Sequence, residues 1–160
     1  MAGTFLLVED DADQIRLVYS ILEEIGADIE PVICGDGVEA IDSLATLGKQ
    51  PAGARPALMI LDLKLPRQDG YDVLRYARAR EALREFPIVV LSESGTETDI
   101  ARALDSGASS YFVKPFALMN NTHIFRAVLE RHAPGACTQP VRFDPTIVNR
   151  YFRGPGSAFV

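Results

Sequence analysis

The sequence predicts an α/β fold, a doubly wound sheet of five parallel strands with helices on both faces. Short apolar runs of strand length alternate with longer stretches whose apolar residues recur at helical spacing. The runs LMIL at 58–61 and IVVL at 88–91 are continuously apolar, as strands buried on both faces must be. With 160 residues, 48% hydrophobic and 24% charged, the chain has the make-up of one ordinary globular domain with its own core.

The elements follow in order. Thr4 to Val8 is a first strand, and from Asp11 the residues Ile15, Val18, Ile21, Leu22 and Ile25 form a helical stripe that stops at Gly26. Ile29 to Ile33 is a second strand, and Glu30 and Pro31 within it place it at a sheet edge. Asp36 and Glu39 have capping-box spacing and open a helix with Val38, Ile41, Leu44 and Ala45 inward, ended by Gly48. The Pro/Gly-rich stretch 48–56 is a loop leading to a third strand, Ala57 to Leu61. Asp69 caps a helix with Val73, Leu74 and Ala77 inward. Pro87 to Leu91, Thr96 to Leu104, Ser110 to Val113 and Met119 to Arg131 complete the alternation as strand, helix, strand, helix. Right-handed crossovers then give the flavodoxin-like order 2-1-3-4-5. In such a sheet ligands bind at the carboxyl ends of the strands, near the switch between the first and third.

The residues placed there are polar. Glu9, Asp10 and Asp11 follow the first strand, Asp62 the third, Ser92 the fourth and Lys114 the fifth. Carboxylates gathered at one edge repel and resist ionisation unless a cation compensates. An all-oxygen set suits a hard divalent ion, Mg²⁺ in particular, which keeps several waters and shares its coordination with phosphate. Lys114 adds a fixed positive charge. An aspartate can act as nucleophile towards phosphorus, and the remaining task is to position the phosphoryl group and neutralise its oxygens. Asp11 and Asp69 read as helix caps.

The net charge of −6 argues against direct nucleic-acid binding, which needs a basic face. The apolar stretch Phe5 to Val8 is too short for a signal peptide or a membrane span, so a cytoplasmic protein without membrane contact is expected. Cys34 and Cys137 lack the spacing of a zinc site or a disulfide framework, and His123 and His132 read as surface or packing residues.

The segments LLVEDD, LMILDLKLPRQDG, VVLSES and YFVKP occur in the order and spacing of a receiver domain, and from Thr4 to Arg131 the chain resembles the receivers of two-component response regulators. The resemblance implies that Asp62 accepts a phosphoryl group from a histidine kinase. It also implies that Mg²⁺ is held by Glu9, Asp10, Asp62 and the backbone carbonyl of Lys64. Ser92 matches the hydroxyl that turns to the phosphoryl group, Lys114 the lysine that pairs with it, and Tyr111 the aromatic switch that rotates inward. The protein would then be a phosphoacceptor taking part in its own phosphoryl transfer and autodephosphorylation, not an enzyme. Lys64 and Ser94, each two residues past a site residue, are expected to flank the path of the hydrolytic water and tune the lifetime. The phrase LKLPRQDGYDVL and the long loop before it resemble the single-domain regulators that serve phytochrome-type kinases, which makes a bacteriophytochrome the expected partner.

Rival readings weaken on particular residues. A haloacid-dehalogenase-type phosphatase needs a second acid where Lys64 stands, and a flavodoxin needs a phosphate loop where the three acids stand. A phosphorylation-independent pseudo-receiver, a pure binding module, is the main alternative, although every site residue is retained.

Residues 1–133 are thus expected to form the receiver and 134–160 an extension too short for an output domain, so that output comes through association. Asp144-Pro145 starts a short helix whose apolar face is Ile147, Val148, Tyr151 and Phe152. A helix this short needs a surface to bury against. The surface is either its own domain or a second subunit, where it would be the arm of a homodimer.

Overall fold

The computed structural model describes residues 3–116, 118–138 and 144–154, the side chains of 118 and 119 excepted. Among these residues six strands form one sheet: β1 (Gly3–Val8), β2 (Ile29–Cys34), β3 (Met59–Leu61), β4 (Ile88–Ser92), β5 (Ser110–Val113) and β6 (Phe152–Arg153). Their order is β2-β1-β3-β4-β5-β6. The first five are parallel and follow the expected wiring; β6 runs antiparallel to β5, pairing Phe152 with Phe112 and Arg153 with Tyr111.

Strand alternation divides the core in two. Phe5, Leu7, Ile60, Val89, Leu91 and Phe112 face α1 (Ala12–Glu24) and α5 (Leu118–His132), whose Val18, Ile21, Phe125 and Val128 close over them. Leu6, Val8, Met59, Leu61, Ile88 and Val90 face α2 (Gly37–Leu47), α3 (Gly70–Arg78) and α4 (Glu97–Asp105) through Leu44, Val73, Leu74 and Ala103. Helix starts follow the sequence: Asp11, Asp36 and Asp69 cap α1, α2 and α3, accepting from the backbone N–H of Asp13, Glu39 and Asp72. Asp69 therefore caps, as its position predicted. Gly70 beside it serves close approach: a Cβ there would lie 2.7 Å from Leu63 Cα and 2.9 Å from the Asp62 carbonyl oxygen. Without a side chain, the start of α3 can sit directly under the strand end that carries Asp62.

Two expectations need correction. The sheet has six strands, not five, and Phe152 does not continue the apolar face of the last helix, α6 (Pro145–Tyr151). At Phe152 the chain turns extended, φ −68° and ψ 134°, and joins the sheet edge, where its ring lies 5.5 Å from that of Phe112. The extension lies against its own domain. Val148 is completely buried in the α1–α5 core, while Ile147 is half-buried. The Tyr151 hydroxyl accepts from Asn120 Nδ2 at 2.8 Å, and the Asp144 backbone N–H donates to His123 Nδ1 at 3.0 Å. Residues 139–143 and 155–160 of the extension lie outside the described residues.

Candidate functional site

The backbone ladder itself delivers the site. Val8 and Leu61 are register partners on β1 and β3, so Glu9 and Asp62 leave the sheet side by side, Asp62 N–H donating to the Val8 carbonyl at 3.1 Å. Ser92 and Val113 are partners on β4 and β5, and Lys114 N–H donates to the Ser92 carbonyl at 2.7 Å. Four residues spread over more than a hundred positions of chain thus meet at one edge.

Lys114 Nζ lies between the two carboxylates, 3.0 Å from Asp62 Oδ2 and 3.2 Å from Glu9 Oε2. The other oxygen of each is held by backbone: Asp62 Oδ1 accepts from Lys64 N–H at 3.0 Å, and Glu9 Oε1 from Asp11 N–H at 3.1 Å. Each carboxylate oxygen therefore has a donor, which fixes both side chains. All three are largely withdrawn from solvent, with side-chain exposures of 12% for Lys114, 14% for Asp62 and 7% for Glu9. Burial pushes the Glu9 carboxyl above its ordinary value, and Asp62 adds to the rise, against the pull of Lys114. Burial alone would lower the Lys114 ammonium, but Asp62 and Glu9 outweigh it and raise its pKa. The lysine stays charged.

Asp10 and Lys64 stand exposed at the rim, and Asp11 caps α1. Among the described residues no three His, Cys, Asp or Glu side chains form a ready-made metal cluster. The donors fit a cation that brings its own water: a fixed Asp62, a neighbouring exposed Asp10 and main-chain oxygen suit Mg²⁺, which takes one or two carboxylates and retains several waters.

Ser92 and Tyr111, the switch pair the resemblance implies, are linked through one loop. Ser92 is buried, and its Oγ accepts from Ser94 N–H at 3.3 Å. Tyr111 is fully buried, and its hydroxyl donates to the Ser94 carbonyl at 2.6 Å, so its ring occupies the inward position. A cleft of about 700 Å³ opens at this edge, lined by Lys64, Ser94, Asp99, Lys114 and the fully exposed Phe116. The structure thus brings Glu9, Asp62 and Lys114 together, ties Ser92 to Tyr111 through Ser94, and leaves Asp10 exposed next to Glu9. Ile147, Val148, Tyr151 and Phe152 stand apart from this site, on the α6–β6 segment. Sequence reasoning missed Asp99 of α4, which accepts from Ser94 Oγ, and Tyr71 of α3, whose hydroxyl donates to Asp99. The signal available for Tyr71 was its helical spacing to Leu74 directly after Asp69-Gly70.

This wiring, with a lysine bridging two acids at the switch point, defines a class: the chain belongs to the response regulator receiver domain family, which it matches over residues 5–126. Within that family it is 36% identical over 109 residues to response regulator Rcp1 of Synechocystis sp., covering 68% of this chain and 74% of that protein. The structure of the Mn²⁺-bound form of Rcp1 superposes with a TM-score of 0.70 at 31% identity, covering 87% of this chain and 99% of that one. The phosphorylated cyanobacterial phytochrome response regulator RcpA gives 0.73 at 33% identity, covering 88% and 100%. The phosphate regulon transcriptional regulatory protein PhoB of Escherichia coli is 31% identical over 151 residues, and the chain spans only 62% of its length. No helix of the described residues is long and apolar enough to cross a membrane.

Proposed function

We propose that the protein is a phosphoacceptor in which Asp62 takes a phosphoryl group from a histidine kinase and signals through protein–protein contacts. The observation that carries this reading is Lys114 Nζ held between Asp62 and Glu9 at the carboxyl edge of the sheet. In the transfer an Asp62 carboxylate oxygen forms a bond to phosphorus as the phosphorus–nitrogen bond of a phosphohistidine breaks and the imidazole keeps the electron pair. Lys64 N–H orients the carboxylate, and Lys114 supplies positive charge to the transferred oxygens. A Mg²⁺ held by Glu9, Asp10, Asp62 and the Lys64 carbonyl would neutralise the rest of that charge. Support for a divalent ion comes from the donor set and from the Mn²⁺-bound Rcp1 structure.

Phosphorylation raises the charge on Asp62 to roughly minus two and adds three strong acceptors, towards which Ser92 turns. Tyr111, joined to the same loop, passes the change to the face formed by α4, β5 and α5 as a shift between two states. Lys64 and Ser94 flank the approach of hydrolytic water, and their replacement by Ala should change the decay rate of the phosphorylated form. By similarity to RcpA a phytochrome-type kinase, such as a bacteriophytochrome, is the proposed donor. The same reading takes residues 1–133 as the receiver, 134–160 as the extension, and the cytoplasm as the place of action.

A homodimer belongs to this proposal. A seven-residue helix and a two-residue strand at the end of the chain are small elements of the kind two copies can exchange. Deleting residues 136–160 should then convert the dimer to a monomer in solution; an unchanged oligomeric state would exclude the arm. The reading as a whole is tested by adding a small phosphodonor with Mg²⁺: the wild type should gain about 80 Da, one phosphoryl group, and Asp62→Asn should not. Signalling by an unphosphorylated binding module predicts no adduct in either.

A further inference from the structure

The carbonyl that holds Tyr111 inward belongs to Ser94, in the short loop between β4 and α4. A loop carbonyl anchors a side chain only as firmly as the loop is held. Here the shortest hold on Ser94 Oγ comes from Asp99, beside longer contacts to the hydroxyl and N–H of Thr96 at 3.3 and 3.5 Å. Asp99 Oδ2 accepts from Ser94 Oγ at 2.5 Å, and its Oδ1 accepts from the Tyr71 hydroxyl at 3.1 Å. Tyr71 comes from α3, is 7% exposed, and carries the Arg102 guanidinium 3.8 Å from its ring centre, a contact that fixes the ring. Asp99 is oriented in turn by its own N–H, which donates to the α4 cap Thr96 Oγ1 at 3.2 Å.

We propose that Asp99, backed by Tyr71, is a positioning residue that latches Ser94 and thereby favours the inward state of Tyr111; the inference rests on the phosphoacceptor reading of Asp62. An acid in the first turn of a helix can serve the helix dipole alone, and Glu97 already does so in α4. That role requires neither Ser94 nor Tyr71, yet both carboxylate oxygens of Asp99 are committed to them. Bonds from Ser94, Thr96 and Tyr71 also hold the Asp99 carboxyl below its usual range, so it stays ionised and purely accepting. The path is continuous from α3 through Asp99 and Ser94 to Tyr111 on β5, whose strand partner is Arg153 of β6. Ser92 lies on the same path through its bond from Ser94 N–H. By linkage, whatever favours the inward state must also favour retention of a phosphoryl mimic at Asp62, and losing the latch must weaken that retention by the same factor.

The test is binding of beryllofluoride with Mg²⁺ to the full chain, followed by fluorine NMR. Asp99→Ala should weaken binding about fivefold, the worth of one net hydrogen bond. Tyr71→Phe keeps the ring and the Arg102 stack but loses the hydroxyl, and should weaken it in the same direction. Asp99→Asn, which still offers Ser94 an acceptor, should stay within about twofold of wild type. In a Tyr111→Phe background the Ser94 carbonyl has no phenol to hold, and Asp99→Ala should add nothing. A merely structural role for Asp99 would keep its full effect there, and that result overturns the latch. Unchanged binding in Asp99→Ala also overturns it; if that variant does not fold, unchanged binding in Tyr71→Phe does. Wild-type protein that takes no beryllofluoride refutes the phosphoacceptor reading itself, and the latch with it.

Discussion

Replacing Lys114 by Met leaves the Glu9 and Asp62 carboxylates at the sheet edge without the cation that lies about one hydrogen-bond length from each. Removing one partner of a fully buried ion pair costs about 3–5 kcal/mol, and the small residual exposure of these side chains reduces that. A second limit comes from protonation. The variant can relieve its repulsion by neutralising Glu9, already the group pushed upward by burial. Placing a proton on a carboxyl of ordinary pKa 4.5 costs about 3.4 kcal/mol at pH 7 and about 0.7 kcal/mol at pH 5. We expect Lys114→Met to lose about 2 kcal/mol at pH 7 and under about 1 kcal/mol at pH 5. The sign follows from Glu9: with its folded pKa raised above the unfolded one, the folded state is favoured below the unfolded value, and that advantage is lost as pH rises through the raised value. Urea unfolding followed by far-ultraviolet circular dichroism at both pH values measures the difference. An equal loss at the two pH values, or none at pH 7, would refute the assignment of Lys114 as the counter-charge of this pair.

Other substitutions probe the helix start under Asp62, the extension and the Ser92 hydroxyl. Gly70→Ala places a Cβ against Leu63 and the Asp62 carbonyl, and should cost about 1–3 kcal/mol in urea unfolding while slowing reaction with a phosphodonor. Val148→Ala removes two buried methyl groups from α6 and should cost about 2 kcal/mol, read as a lower Tm; no change would mean the extension does not pack on a core. Ser92→Ala loses one long backbone-to-hydroxyl bond and should change stability by under about 1 kcal/mol, yet weaken beryllofluoride binding about tenfold.

Most of the sheet was legible because buried parallel strands and amphipathic helices have different periods, and capping acids mark where one gives way to the other. Asp36 and Asp69 show it: each was placed as a cap from spacing, and each accepts the expected N–H. The edge position of β2 was likewise readable from Pro31. The sixth strand was not readable. Phe152 falls at helical spacing from Val148, and the two-residue pairing that captures it depends on the free edge of β5 and the Phe112 ring, which no local pattern encodes. At the site, the gathering of Glu9, Asp62 and Lys114 at one edge follows from residues at strand ends, since strand order brings them together; that Lys114 bridges the two acids is seen only in the structure. Asp99 and Tyr71 escaped notice for the opposite reason. An acid in a first helical turn and an aromatic on a buried face each have an ordinary role, and only the α3–α4 packing brings the two side chains together.

If Asp62 is the phosphoacceptor, the phosphoryl group must be found on it and nowhere else. After reaction with a phosphodonor and Mg²⁺, borohydride reduction converts an aspartyl phosphate to homoserine, marking the residue before digestion with trypsin. The peptide of residues 50–64, QPAGARPALMILDLK, contains one acid, Asp62, so a mark in it assigns the site without further sequencing. Homoserine is expected in that peptide and in no other. A mark in the peptide carrying Glu9, Asp10 and Asp11, or a phosphoryl group found on His123 or His132, would contradict the assignment to Asp62.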